Sequence, residues 1–222
     1  MVLSNQHKRL TIRIPLVVND YSTLKRQIQE GIPDYMIEIE VKIMISSDIV
    51  DLFETLELDG FRHVCRMEEY DQYYNAPDHD FRQTGEAMRL RKSRNMDTGH
   101  EEITWNYKGS RLDTISMTRK EFETSIGSYE TGQKILDSLG FLKQIPVHKK
   151  RIYLTKNDIT VCLDHVDGLG QFMEIEILAD SDDQYQDCMA RIRQVLDLTG
   201  YTMDDSITRS YLSMLQDKET DS

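Results

Sequence analysis

Glu38-Ile39-Glu40-Val41-Lys42 is the stretch on which the reading of this chain turns. Side chains of a β-strand alternate between its two faces. As a strand, the segment puts Glu38, Glu40 and Lys42 on one side and Ile37, Ile39, Val41, Ile43 and Ile45 on the other. Two carboxylates and an ammonium in one row can hold a divalent cation beside a phosphate. A half-buried strand with a solvated polar face would look the same in isolation, so the remaining strands decide between the two.

Working outward, the pattern recurs. Arg89 and Arg91 share a face opposite Met88 and Leu90. Thr104, Asn106 and Lys108 alternate with Ile103, Trp105 and Tyr107. Arg119, Glu121 and Glu123 form one row, and Lys149, Arg151 and Tyr153 another, opposite Lys150, Ile152 and Leu154. Cys162 and Asp164 lie opposite Val161 and Leu163, and Glu174 and Glu176 alternate with Met173, Ile175 and Ile177. Rows this rich in Arg, Lys, Glu and Asp are not the mixture expected of a merely wet face.

Between the strands lie helical segments with one apolar face. Ser47-Asp48 caps a helix carrying Ile49, Leu52, Phe53 and Leu56 at i, i+3, i+4 and i+7, stopped by Gly60. Strands are expected near 62–74, 86–94, 102–109, 117–125, 147–155, 159–166 and 171–178, with a helix over 130–139 ending at Gly140. Asn157-Asp158 reads as a hairpin turn and Gly168-Leu169-Gly170 as a second link. The C-terminal part is helical, with Tyr185, Met189, Ile192, Val195 and Leu196 on one face and Ile207, Tyr211 and Leu215 on another. Upstream, Leu10, Ile12 and Ile14 suggest a short strand ended by Pro15, and residues 21–30 a short helix. The expected division is an N-terminal extension (1–35), a catalytic domain (36–216) and a disordered tail (217–222).

About eight strands with interspersed amphipathic helices imply an antiparallel α+β fold, whose sheet can close into a barrel with the helices packed outside. Its charged rows would then face a lumen. Lys42, Arg89, Arg91, Lys108, Arg119, Lys149 and Arg151 would supply cations there, and Glu38, Glu40, Glu121, Glu123, Glu174 and Glu176 carboxylates. Like charges at such density repel strongly at reduced dielectric and are expected to need a polyanion and cations between them. Arg forks match phosphate oxygens, and paired carboxylates suit Mg²⁺ or Mn²⁺. A linear triphosphate held with metal fits both requirements.

Composition sets the outer limits. With 39% hydrophobic and 30% charged residues, the chain can bury a core. A net charge of −12 argues against a general nucleic-acid or anionic-membrane surface. No apolar run reaches membrane-spanning length, and the N-terminal MVLSNQHKRL lacks the apolar core of a signal peptide. Cys65, Cys162 and Cys188 are widely spaced among apolar neighbours, which suggests reduced core thiols and a cytoplasmic location.

In order along the chain, Glu38-Ile-Glu-Val-Lys42, Arg89-Leu-Arg91, Tyr107-Lys108-Gly109, Arg119-Lys-Glu121-Phe-Glu123, Val147-His-Lys149-Lys-Arg151 and Cys162-Leu-Asp164 with Gly168-Leu-Gly-Gln-Phe-Met-Glu174-Ile-Glu176 resemble the CYTH domains, the triphosphate tunnel metalloenzymes. The resemblance covers about residues 36–215. It implies a closed or C-shaped antiparallel barrel and metal ligation by Glu38, Glu40, Glu174 and Glu176. It assigns the triphosphate to Lys42, Arg89, Arg91, Lys108, Arg119, Lys149 and Arg151. It further implies one of two chemistries: a class IV adenylyl cyclase making cyclic AMP and pyrophosphate from ATP, or a hydrolase of tripolyphosphate, thiamine triphosphate or nucleoside triphosphates. The run ending at Glu176 and the Arg209-Ser-Tyr211 segment resemble the cyclase branch. In that reading Asp164 joins the metal ligands and takes part in catalysis; under hydrolysis Lys149 serves the leaving oxygen. A non-catalytic polyphosphate- or nucleotide-binding module is a third reading, and a homodimer is an open alternative to a monomer.

Overall fold

A computed structural model describes residues 37–110, 121–179 and 181–220. The strand and helix expected before residue 36, the first part of the 117–125 strand and Arg119 lie outside the described residues. Among the described residues nine strands form one antiparallel sheet: β1 (Ile37–Met44), β2 (Arg62–Asn75), β3 (Ala87–Asn95), β4 (Glu101–Lys108), β5 (Glu121–Ser125), β6 (Leu142–Lys143), β7 (Val147–Lys156), β8 (Ile159–Val166) and β9 (Gly170–Ala179). Their spatial order is β1-β9-β8-β7-β2-β3-β4-β5, with the short β6 beside β2. Among the described residues β1 and β5 end this path without pairing to each other, so the barrel is C-shaped rather than closed.

β2 joins the two halves. It spans 14 residues and pairs with β7 on one side and β3 on the other. A register shift between His63 and Cys65 adds the local twist that a curling sheet needs. The β7–β8 hairpin turns at Asn157-Asp158 as expected, with Asn157 in the left-handed region at φ 57°.

Helices α1 (Ile49–Leu58), α2 (Phe81–Thr84), α3 (Tyr129–Ser138), α4 (Tyr185–Thr199) and α5 (Tyr211–Thr220) complete the fold. Asp48 caps α1 by accepting from the Val50 N–H at 2.9 Å, and Ser128 caps α3 through the Thr131 N–H at 3.2 Å. The outer face of β1, β9 and β8 carries Ile39, Val41, Ile43, Met173, Ile175, Ile177, Val161 and Leu163. It is covered by Leu52 and Leu56 of α1 and by Cys188, Met189, Ile192, Val195 and Leu196 of α4. Leu136 of α3 packs with Met88 and Leu90 over the other half.

The last helix behaves differently. Tyr211, Leu212, Met214 and Leu215 of α5 pack with Val147, Val166 and Phe172. Those three residues lie on the same strand faces as Lys149, Asp164 and Glu174, so α5 sits on the charged side of the sheet. Periodicity revealed its apolar stripe but not which face the stripe would meet. The helix also continues through Thr220, so residues 217–220 are helical rather than a disordered tail. Lys218 Nζ anchors this end by donating to the Gly168 carbonyl at 2.7 Å.

None of the described helices is long and apolar enough to cross a membrane. All three cysteines are buried, and none forms a disulfide within the described residues. Because Ile192 is fully buried between α4 and the sheet, Ile192→Ala should destabilise the protein by about 2–5 kcal/mol in urea unfolding. Leu58→Ala, at a side chain 91% exposed, should change stability by less than about 0.5 kcal/mol. Equal effects would mean that α4 is not seated as described.

Candidate active site

Register brings the polar rows together. Glu40 lies opposite Glu176, and Lys42 opposite Glu174. Arg151 faces Asp164, and Glu69 faces Lys149. Asp71 faces Arg91, and Arg89 faces Asn106, which in turn faces Glu123. Directly opposed residues share a face, so one continuous charged band crosses β1, β9, β8, β7, β2, β3, β4 and β5. Cys65, Met67, Tyr153 and Cys162 close it on one flank with an apolar cluster, and α5 closes the other.

Within the band, Glu40, Glu174 and Glu176 form a carboxylate trio. One oxygen from each lies within 4.8 Å of the other two. Three hard oxygen donors at this spacing fit Mg²⁺ or Mn²⁺, which also take oxygens from phosphate and water. Lys42 Nζ stands 3.1 Å from Glu174 Oε1 and 3.6 Å from Glu40 Oε1. Burial works against the Lys42 charge, yet Glu174 and Glu40 raise its pKa above the ordinary lysine value. Burial likewise opposes the Glu174 carboxylate, but Arg151, Lys42 and Lys149 outweigh it and hold that carboxyl well below its usual range.

Next to the trio, Asp164 grips Arg151. Nε donates to Oδ1 at 2.6 Å and Nη2 to Oδ2 at 2.5 Å, while Nη2 also donates to Glu174. The Tyr211 hydroxyl reaches in from α5 and donates to Asp164 Oδ2 at 2.8 Å. Its ring lies 4.5 Å from Lys42 Nζ and 5.4 Å from Lys149 Nζ. Burial, then the charges of Asp164 and Glu174, push the Tyr211 phenol far above its normal pKa, so it remains a donor. Asp164, expected as a metal ligand, is thus not brought into the trio; both its oxygens are engaged by Arg151 and Tyr211.

The remaining basic groups meet two acids that the strand pattern had not singled out. Asp71 accepts from Arg91 Nε at 2.5 Å and Nη2 at 2.7 Å, and from Arg89 Nη1 at 3.4 Å. Glu69 Oε2 lies 3.1 Å from Arg91 Nη1 and 3.3 Å from Lys149 Nζ. Both acids are 1% exposed. Burial opposes their ionisation, but Arg91 and Lys149 bring Glu69 down to about 2, and Arg91 and Arg89 hold Asp71 lower still. The charged lumen therefore neutralises much of itself, where the sequence reading expected a polyanion and cations between its rows. The acids of β2 escaped notice because Glu68 and Gln72 on the opposite face blur its alternation. The signal was that Glu69 and Asp71 share a face with Cys65 and Met67.

Other expected site residues sit further along the sheet. Lys108 lies opposite Ala87 on β3 and Glu121 on β5. Glu123 accepts from Asn106 Nδ2 at 3.4 Å and is outside the trio. Glu38 occupies β1 opposite Leu178.

The CYTH domain family matches this chain over residues 36–211. A Methanocaldococcus jannaschii protein, provisionally named an adenylate cyclase, is 34% identical over 179 residues, covering 81% of this chain and 98% of its own. A solved structure from Pyrococcus horikoshii is 33% identical with a TM-score of 0.71, covering 82% of this chain and 99% of its own. A Hippeastrum protein, provisionally named an adenylyl cyclase and described as having a dominant triphosphatase activity, shares the fold. It is 15% identical, with a TM-score of 0.57 over 83% of this chain and 96% of its own. A C-shaped sheet with one charged face, matched over most of the chain, has one classification: the protein belongs to the CYTH domain family.

Proposed function

We propose that this protein is a divalent-cation-dependent class IV adenylyl cyclase that converts ATP to cyclic AMP and pyrophosphate. The observation that carries cation-dependent triphosphate chemistry, common to this reading and the next, is the Glu40–Glu174–Glu176 trio set directly beside a buried basic row. The name of the archaeal relative at 34% identity supports cyclisation. Bound at the trio, Mg²⁺ or Mn²⁺ would offset phosphate charge and acidify a coordinated hydroxyl.

The protein's own groups would do the rest. Arg89, Arg91, Lys149 and Arg151 present fixed cations to the phosphate oxygens, so little reorganisation is needed as charge moves. Cyclisation joins the ribose 3′ oxygen to the α-phosphorus and breaks the bond from that phosphorus to the pyrophosphate oxygen. Negative charge then builds on the leaving pyrophosphate, where Lys149 and the arginines stabilise it. Enclosure by α5 keeps the basic row away from bulk water and strengthens these interactions.

Hydrolysis of tripolyphosphate, thiamine triphosphate or a nucleoside triphosphate is the second reading, since the same trio and basic row would serve it. The Hippeastrum protein adds that a cyclase name within this fold can accompany triphosphatase activity.

Incubation with ATP, thiamine triphosphate and tripolyphosphate, each with Mg²⁺ or Mn²⁺, separates the readings. Cyclic AMP with pyrophosphate is the expected result from ATP, and release of phosphate alone would overturn cyclisation. Chelation should abolish turnover. Glu40→Ala and Glu176→Ala should each lower it by at least about a hundredfold; activity in both would remove the metal assignment.

Acid should unfold the protein through the same groups. A carboxyl whose pKa falls on folding stabilises the folded state above its unfolded value and loses that contribution as pH drops towards the folded one. For Glu69 the window runs from 4.5 down to about 2. Thermal melts should therefore show stability dropping through that interval, and Glu69→Gln should flatten the drop.

A further inference from the structure

We propose that Asp71 is a positioning residue: it holds the Arg91 guanidinium, and with it Arg89, in the orientation in which they receive the triphosphate. The inference rests on the triphosphate reading given above. Asp71 lies directly across from Arg91 in the β2–β3 ladder and takes the Nε and Nη2 donors together, the two-point grip that fixes the plane of a guanidinium. Glu69 Oε2 stands 3.1 Å from Nη1 on the other side, as an ion pair without a hydrogen bond. Two of the five N–H donors of Arg91 are thereby held by Asp71, and the remaining three are pointed by that grip.

Arg89 extends the arrangement. Its Nη1 reaches Asp71 at 3.4 Å and the Tyr73 hydroxyl at 3.2 Å, while its buried Nε has no hydrogen-bond partner. A buried donor without a partner is costly, and an anion on this face would satisfy it. Asp71 has no place in the carboxylate trio, so its work is done through the arginines. The neighbouring Asp164–Arg151 pair repeats the same Nε/Nη2 grip on β7 and β8, which marks it as a recurring device of this sheet.

Positioning and plain charge balance predict opposite signs. Removing the Asp71 charge makes the lumen more positive, which by Coulomb attraction alone would tighten the hold on an anion. Loss of orientation would weaken it. Calorimetric titration of tripolyphosphate into the full chain with Mg²⁺ should show Asp71→Asn binding about tenfold more weakly. With the favoured substrate, KM should rise while kcat falls much less. Arg91→Ala should weaken binding further, and Asp71→Asn added to it should cost far less than it does alone, since the brace then keeps only its longer contact with Arg89.

Affinity unchanged or improved in Asp71→Asn, or effects that multiply in the double variant, would overturn the proposal. A wild-type protein that binds no triphosphate would overturn the functional reading itself, which is a different result. Should Asp71→Asn fail to fold, the wild-type protein still answers by NMR. The Arg91 Nε–H resonance, assigned by its loss in Arg91→Lys, should remain protected when tripolyphosphate saturates the site. Its loss on saturation would mean that the ligand displaces Asp71, which a brace does not permit.

Discussion

Everything in this fold depends on burying a dense set of opposite charges on one face of a single curled sheet. Five cations, Lys42, Arg89, Arg91, Lys149 and Arg151, lie among Glu69, Asp71, Asp164 and Glu174 in a band that is largely shut off from water. Isolated charges could not be kept there, since desolvation of each would exceed what the rest of the fold supplies. Cross-strand pairing resolves the conflict. Antiparallel register sets acid opposite base at Asp71–Arg91, Glu69–Lys149, Arg151–Asp164 and Lys42–Glu174. A one-residue slip in any of these ladders would turn the slipped strand's charges to the outer face, which α1, α3 and α4 cover.

That constraint explains the unequal legibility of the sequence. β1 and β9 were readable because their outer residues are almost uniformly Ile, Val and Met, so the period of two is clean and Glu40, Lys42, Glu174 and Glu176 stand out. β2 was readable as a strand but not as part of the site. It carries polar and aromatic residues on both faces, and Glu69 and Asp71 look like ordinary surface acids until register places them opposite Lys149 and Arg91. Asp164 shows the converse. The cyclase reading made it a metal ligand, whereas the structure gives both its oxygens to Arg151 and Tyr211. Which of several nearby acids meets a cation and which meets an arginine is a question of three-dimensional neighbours, and strand alternation carries no information about it.

The C-terminal helix follows the same logic. An amphipathic stripe states that a helix must be covered, not by which layer. Here α1 and α4 already cover the outer face, and the apolar residues left uncovered are Val147, Val166 and Phe172 at the end of the charged band. Docking α5 there buries them and brings the Tyr211 hydroxyl to Asp164 Oδ2, which accepts from it. The ends of the band are thus closed differently, one by packed side chains of the sheet itself and the other by an added helix.

Glu174 is where these demands meet. It belongs to the carboxylate trio, faces Lys42 across the ladder and accepts from Arg151, which Asp164 in turn holds in place. Each neighbour lowers the cost of keeping Glu174 charged, and Glu174 does the same for them. A chain of mutual dependence of this kind makes single removals expensive, because each leaves a buried partner unmatched. It also ties the acidic and basic halves of the site into one unit, so the geometry of the trio cannot be altered without disturbing the row beside it. On the proposed reading, in which cation and polyphosphate come to one place, that coupling is built into the sheet before either arrives.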